Sequence, residues 1–306
     1  MLQSCKKSIR LGAASGLIVA TFWTGCALGQ APAATPVEGG ASALRARYTA
    51  LAPQLARNQF QRPLVIDSSE SGNAVNGNAY AVINYPFVAV SAAFKTPDNW
   101  CEVLMLHLNT KHCRANDERN PAVLRVNIGK KQAQEIKDTY PLAFDFNVTS
   151  ATPDYMAVRL KADKGPLGTQ NYSIHLKAVP IAGGKTFMHL QYSYAYGMAG
   201  RLAMQTYLST LGSGKVGFTR LESPSGGQKN HVDGMRGAVE RNTMRYYLAI
   251  DAYLAALSVP AENQLEERLR HWFDATERYP LQLYEIDRTA YLTMKRDEYQ
   301  RQQVVH

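Results

Sequence analysis

The chain has 306 residues, 45% of them apolar and 19% charged, with a formal charge of +9. That balance excludes a disordered chain and leaves room for one large domain or two small ones, without obligatory metal or disulfide staples. Beyond the N-terminus no apolar run approaches the ~20 residues of a membrane-spanning helix, and the basic residues are interleaved with acids, as in Glu267-Arg268-Leu269-Arg270, so nucleic acid is not an expected partner.

Residues 1–29 read as a secretory signal peptide. Lys6, Lys7 and Arg10 form a basic start, Leu11 to Trp23 a short apolar stretch, and Ala27-Leu28-Gly29 a small-residue cleavage site. Export to the periplasm or the exterior is expected. Trp23-Thr24-Gly25-Cys26 offers the alternative of a lipoprotein anchored at Cys26. Residues 30–42, rich in Pro, Ala and Gly, read as a flexible tether. Cleavage removes Lys6, Lys7 and Arg10 and no acid, which leaves only a mild preference for anionic surfaces or ligands. Peripheral contact with a membrane is a further expectation. In an oxidising compartment Cys101 and Cys113 are expected to form a disulfide, with a buried free pair and a metal or nucleophilic role as alternatives.

The mature chain opens with a helix over Ser42 to Phe60, interrupted at Pro53. Pro63 to Ile66 is a short strand, Gly72 to Asn78 has turn chemistry, and Ala79 to Tyr85 is a strand. Pro86 to Phe94 and Pro97 to Leu106 are two short helices started by prolines. After a polar loop at 114–120, five segments alternate with period two: Ala122 to Ile128, Leu142 to Thr149, Tyr155 to Ala162, Tyr172 to Val179 and Thr186 to Tyr196. Strands at this spacing, without intervening helices, form an antiparallel meander. On the last strand Met188, Leu190, Tyr192, Tyr194 and Tyr196 share one face. A helix over 197–211, a loop or hairpin excursion at 212–232, and a long helix from Asp233 to Leu257 follow. Pro260 ends that helix, and two amphipathic helices, Glu262 to Thr276 and Leu281 to Gln302, complete the chain.

The fold class is therefore α+β: a curved antiparallel sheet gripping a long C-terminal helix, with extra C-terminal helices. This order resembles the START-like helix-grip superfamily of lipid-transfer domains, pollen allergens and polyketide cyclases. The residues that carry the resemblance are AYAVINYPFVAVSAAFKTPDNWCEVL (79–104) and GPLGTQNYSIHLKAVPIAGGKTFMHLQYSYAYG (165–197). It spans residues ~72–257, and the chain departs from the pattern by the insertion at 212–232 and the helical tail. The domain reading is a helix-grip ligand-binding domain over 43–258 and a helical extension over 259–306. The resemblance implies a cavity between sheet and helix that holds a hydrophobic small molecule or lipid.

Candidate ligand-binding residues are Tyr192, Tyr194 and Tyr196 on the last strand and Arg236, Glu240 and Tyr247 on the long helix, with Arg236 or Arg245 placed to take a carboxylate or phosphate. The same helix residues read equally as a solvated face. A cavity enzyme using Glu240 or Asp251 with a Tyr or His is the alternative function; a scaffold that binds a partner through the tail is a third. The His107–His112 segment reads either as a pocket mouth or as a helix C-terminus. His175 and His189 fall on adjacent predicted strands. Gly212 to Gly217 matches G-x-G-x-x-G by letter but lacks the strand before it and the helix after it, so it reads as a loop. No catalytic motif, metal site or cofactor is expected.

Overall fold

The computed structural model describes residues 40–118, 121–209, 214–221 and 230–304. The expected signal peptide, the Cys26 anchor and most of the tether lie outside the described residues, as do parts of the insertion. Eight antiparallel strands form one curved sheet in the order β1-β2-β8-β7-β6-β5-β4-β3. They are β1 (Leu64–Ser71), β2 (Ala74–Ile83), β3 (Thr110–Asn116), β4 (Ala122–Ile128), β5 (Tyr140–Thr152), β6 (Tyr155–Lys164), β7 (Thr169–Ile181) and β8 (Lys185–Tyr196). Two short helices, α2 (Phe87–Phe94) and α3 (Pro97–Met105), connect β2 to β3, so the first hairpin joins the last strand while the meander runs to the other edge. The long helix α5 (Gly234–Ala256) packs on β1, β2 and β8. This is the helix-grip arrangement that the element order predicts.

Burial is set by the period-two alternation. On β8, Met188, Leu190, Tyr192, Tyr194 and Tyr196 face the main core. Phe187 points the other way, where helix α1 (Ala41–Ala56) covers the sheet with Leu44, Leu51 and Leu55 in a second, smaller apolar cluster with Val179 and Tyr80. Of the kinked or two-part helix expected from Pro53, the two-part form does not occur: α1 is a single helix that runs through the proline.

Three local expectations change. Residues 74–78, with their turn-like Asn and Gly, belong to strand β2. Gly77 sits where β2 meets α5, and a Cβ there would collide with the Thr243 hydroxyl and crowd the Val239 carbonyl. The glycine marks a close approach of helix to sheet and not a turn. Residues 110–116 form strand β3 instead of continuing a helix terminus and a loop. The last predicted helix is two, α7 (Pro280–Leu283) and α8 (Arg288–Val304), preceded by α6 (Gln264–Glu277).

Cys101 on α3 and Cys113 on β3 form the expected disulfide, with Cα atoms 5.2 Å apart and both side chains buried. It ties α3 to the edge strand β3. Closing a loop of this size stabilises by about 3 kcal/mol, largely through the unfolded chain. The Cys101→Ser/Cys113→Ser double variant is therefore expected to lose that amount in denaturant unfolding. Unchanged stability would show that the bond adds nothing to the fold.

The C-terminal helices complete the core. Helix α6 lies along α5, with the Trp272 indole N–H donating to the Arg245 carbonyl at 3.1 Å. Helix α8 holds the β3 edge, where the Tyr291 hydroxyl donates to the Leu106 carbonyl at 3.0 Å. Covered by sheet on one side and helices on the other, α5 is buried nearly all round, charged residues included. Among the described residues no helix is long and apolar enough to cross a membrane.

Candidate functional site

Between the meander strands and α5 lies a two-part cavity that is open to solvent. The outer part, about 530 Å³, runs between the ends of β4, β5 and β8, the turn before β7 and helix α4 (Met198–Ser209), with Ala238, Arg241, Asn242 and Arg245 of α5 as one wall. The inner part, about 140 Å³, reaches Leu104, His107, Val126, Phe144 and Tyr246. Asn109, Ile128, Pro166, Tyr172, Tyr192 and Asn242 line both, so the two parts adjoin. A cavity of this size suits a drug-sized molecule.

A tyrosine cluster forms its floor. Tyr172 stacks on Tyr194 with ring centroids 5.4 Å apart, and Tyr192 packs on Tyr194 at 5.7 Å and on Tyr246 at 5.2 Å. Burial raises all four phenols above their ordinary pKa, and nearby phenols add to this for Tyr192, Tyr194 and Tyr246. The rings therefore present neutral hydroxyls: apolar bodies with polar tips.

His107 stands at the inner end, 3% exposed and stacked on Tyr246. Burial holds its imidazole well below the ordinary pKa, and Arg245, Lys295 and Lys131 lower it further, so the ring is neutral. Its Nδ1 accepts the Asn109 backbone N–H at 3.2 Å, which places the ring proton on Nε2. The Asn242 side chain interacts with the ring and raises its pKa slightly against the other effects, but among the described residues no group lies within hydrogen-bond distance of the buried Nε2.

The outer wall is cationic. Lys131 and Arg245 share Glu285, at 2.7 and 2.9 Å, and Arg245 Nη1 also donates to Asn242 Oδ1. Arg241, 2% exposed, donates one hydrogen bond among the described residues, from Nη1 to the Val216 carbonyl at 3.3 Å.

Of the residues named from the sequence, Tyr192 and Tyr194 lie on the cavity wall. Tyr196 does not: its hydroxyl donates to Glu70 beyond the end of the floor. Arg236, Glu240 and Tyr247 lie on a different stripe of α5, facing β1 and the insertion. Arg236 donates to the Ser68 hydroxyl at 3.2 Å. Glu240 accepts from the Ser68 and Thr219 hydroxyls and from the Phe218 and Thr219 backbone amides. Tyr247 accepts from Arg62, which also pairs with Asp251 at 3.2 Å. Burial raises the Asp251 carboxyl, but His271 and Arg62 outweigh it and the group sits below its ordinary pKa. Asp251, Tyr247 and His271 thus converge, but on each other and away from this cavity. The α5 stripe that does face it is Ala238, Arg241, Asn242 and Arg245, at helical spacing i, i+3, i+4, i+7. Both stripes carry charge in the sequence, and only the register of α5 on the sheet separates them.

His175 and His189 stand on neighbouring strands with His189 opposite Lys177, not opposite His175. His189 bonds Asn78 at 2.9 Å and stacks on Tyr80. Burial lowers both imidazoles, to about 4 for His175 and about 3 for His189, with Lys177 as the next cause in each.

The sequence matches no protein-family model and no curated protein. Solved structures with similar folds include norcoclaurine synthase from Thalictrum flavum, 10% identical over 47% of this chain and 91% of that one, TM-score 0.34. Human StAR-related lipid transfer protein 5 is 9% identical over 55% and 89%, TM-score 0.30. A Streptomyces aromatase/cyclase is 11% identical over 67% and 95%, TM-score 0.30.

Proposed function

We propose that this helix-grip chain binds and carries a hydrophobic small molecule or lipid that bears at least one oxygen acceptor. The observation that carries this reading is the inner part of the cavity: apolar walls from Leu104, Val126, Leu142 and Phe144, with the unpartnered His107 Nε2–H among them. A buried donor without an acceptor costs ~1–3 kcal/mol, which a ligand oxygen would recover. Tyr192 and Tyr194 are proposed as the floor on which the ligand lies. Two of the similar folds carry names consistent with this, one a lipid transfer protein and one an aromatase/cyclase. Export is part of the proposal; the leader-like residues 1–29 and a disulfide suited to an oxidising compartment support it.

Native mass spectrometry of the purified protein, followed by solvent extraction, tests the reading. A co-purifying oxygenated apolar molecule is expected. Ala238→Phe, which fills the outer part from α5, is expected to weaken uptake of an apolar fluorescent probe about tenfold or more while leaving the circular dichroism spectrum unchanged. Equal probe binding by a folded Ala238→Phe variant would rule out this cavity as the binding site.

A further inference from the structure

We infer that the ligand is an anionic amphiphile whose carboxylate pairs with Arg241, its apolar chain running inward past Tyr192 and Tyr172. This rests on the binding reading above and names the ligand class. The argument begins with charge. Arg241 is 2% exposed, and of its five N–H donors one is spent, on the carbonyl of Val216. Among the described residues no carboxylate forms an ion pair with it. Its neighbour in sequence, Glu240, reaches the same 216–219 segment, but its carboxylate is taken up by four donors from Ser68, Phe218 and Thr219 and makes no ion pair with Arg241. A buried cation costs several kcal/mol unless it is paired and hydrogen-bonded.

The surroundings point to the sign of the charge. Arg245 and Lys131 already share Glu285, and Lys130 on the rim is exposed to water. Among the described residues Asp138 is the one acid on the outer wall, against four basic side chains. A buried guanidinium with no ion pair among the described residues suits an anionic head group, and its planar fork matches the two oxygens of a carboxylate. Tyr194 lies close enough to feel the Arg241 charge, so the phenol floor begins at the anion position. Inward from there the wall turns to Ile128, Leu104 and Phe144, which suits an alkyl chain or a fused-ring body and not a second charge.

Laurate and lauryl alcohol test the inference, because they share a chain and differ in the head. Affinities are measured at neutral pH by displacement of a neutral fluorescent probe, on the wild type and on Arg241→Gln. Wild type is expected to prefer laurate about tenfold or more, since a charge-assisted hydrogen bond is worth roughly 1.5–3 kcal/mol and each 1.4 kcal/mol is tenfold. Arg241→Gln is expected to abolish the preference while alcohol affinity changes by less than about threefold. Laurate is also expected to raise the thermal midpoint of the wild type more than the alcohol does, because it relieves a buried charge. Equal wild-type affinities, or a preference that survives Arg241→Gln, overturn the carboxylate assignment and leave the binding cavity standing. Displacement by neither ligand overturns both. Should Arg241→Gln fail to fold, the wild-type preference decides the head-group charge, and Arg241→Lys, which keeps the charge but loses the fork, is expected to bind laurate more weakly than wild type.

Discussion

Glu298→Gln is expected to cost about 3–5 kcal/mol and to release helix α8 from the sheet edge. Glu298 is wholly buried between two wholly buried lysines: Lys111 of β3 at 2.9 Å and Lys295 one turn earlier on α8 at 2.8 Å. Each ammonium is otherwise satisfied within the protein. Lys295 donates to the His107 and Thr110 carbonyls, and Lys111 to the Leu108 carbonyl and the Met294 sulfur. Removing the one negative charge leaves two buried cations facing each other, the costly way to break a buried pair. A pH signature separates this from a simple packing loss. Burial pushes the Lys295 ammonium down to about 8; Glu298 opposes the shift and Lys111 adds to it. Between about pH 8 and the ordinary lysine value near 10.4, the unfolded chain therefore binds more protons than the folded one, and the lysine contribution to stability rises with pH. The buried phenols act oppositely above about pH 10, because their raised values keep protons on the folded chain. In Glu298→Gln the rise is expected to begin below pH 8, since the charge that supports Lys295 is gone. Chemical denaturation from pH 6 to 10 reads both effects; a variant as stable as wild type with the same pH profile would refute the clasp.

Strand β3 shows why this part of the molecule was not legible in the sequence. Thr110 to Asn116 is polar in composition, and Lys111 within it reads as a solvent residue. It is buried because Glu298, nearly two hundred residues later, comes to meet it. Local pattern reports that a residue is charged, not that its counter-ion is coming. The meander strands are the opposite case. Their alternation is the physical cause of their burial, so Tyr155 to Ala162 or Thr186 to Tyr196 could be read directly, as could the face that Tyr192 and Tyr194 share. Helix α5 lies between. Its length and end were visible, but a helix covered on both sides carries little amphipathic signal. Its cavity-facing stripe, Arg241 included, could not be told from the stripe of Glu240 and Tyr247 until the sheet fixed its rotation. Gly77 misled for a related reason: a glycine needed for contact with α5 looks like a glycine needed for a turn.

Glu240→Gln is expected to cost about 3 kcal/mol and to loosen residues 214–221 from α5. The carboxylate, with no exposed surface, accepts four hydrogen bonds: Ser68 Oγ at 2.6 Å, Phe218 N at 2.6 Å, Thr219 N at 2.9 Å and Thr219 Oγ1 at 2.7 Å. The amide keeps one oxygen and turns the other acceptor into a donor, so about two of these groups would face an N–H instead of an oxygen. Each buried donor left without its acceptor costs ~1–3 kcal/mol, at the upper end where the lost acceptor was charged. The loss is local, because Glu240 ties this segment to the helix while Gly217 allows the close approach that the tie requires. Phe218, packed between Phe60 and Tyr279 with ring centroids 5.6 Å from each, is expected to become exposed with it. The consequence reaches the cavity, since Val216 in the same segment supplies the carbonyl that Arg241 holds. Hydrogen exchange of the Phe218 and Thr219 amides measures the effect directly. Both are expected to exchange roughly a hundredfold faster in the variant, the factor that about 3 kcal/mol of local opening implies, while amides in β6 and β7 keep their wild-type protection. Uniform acceleration across the sheet would instead show that Glu240 supports the whole fold and not this one attachment.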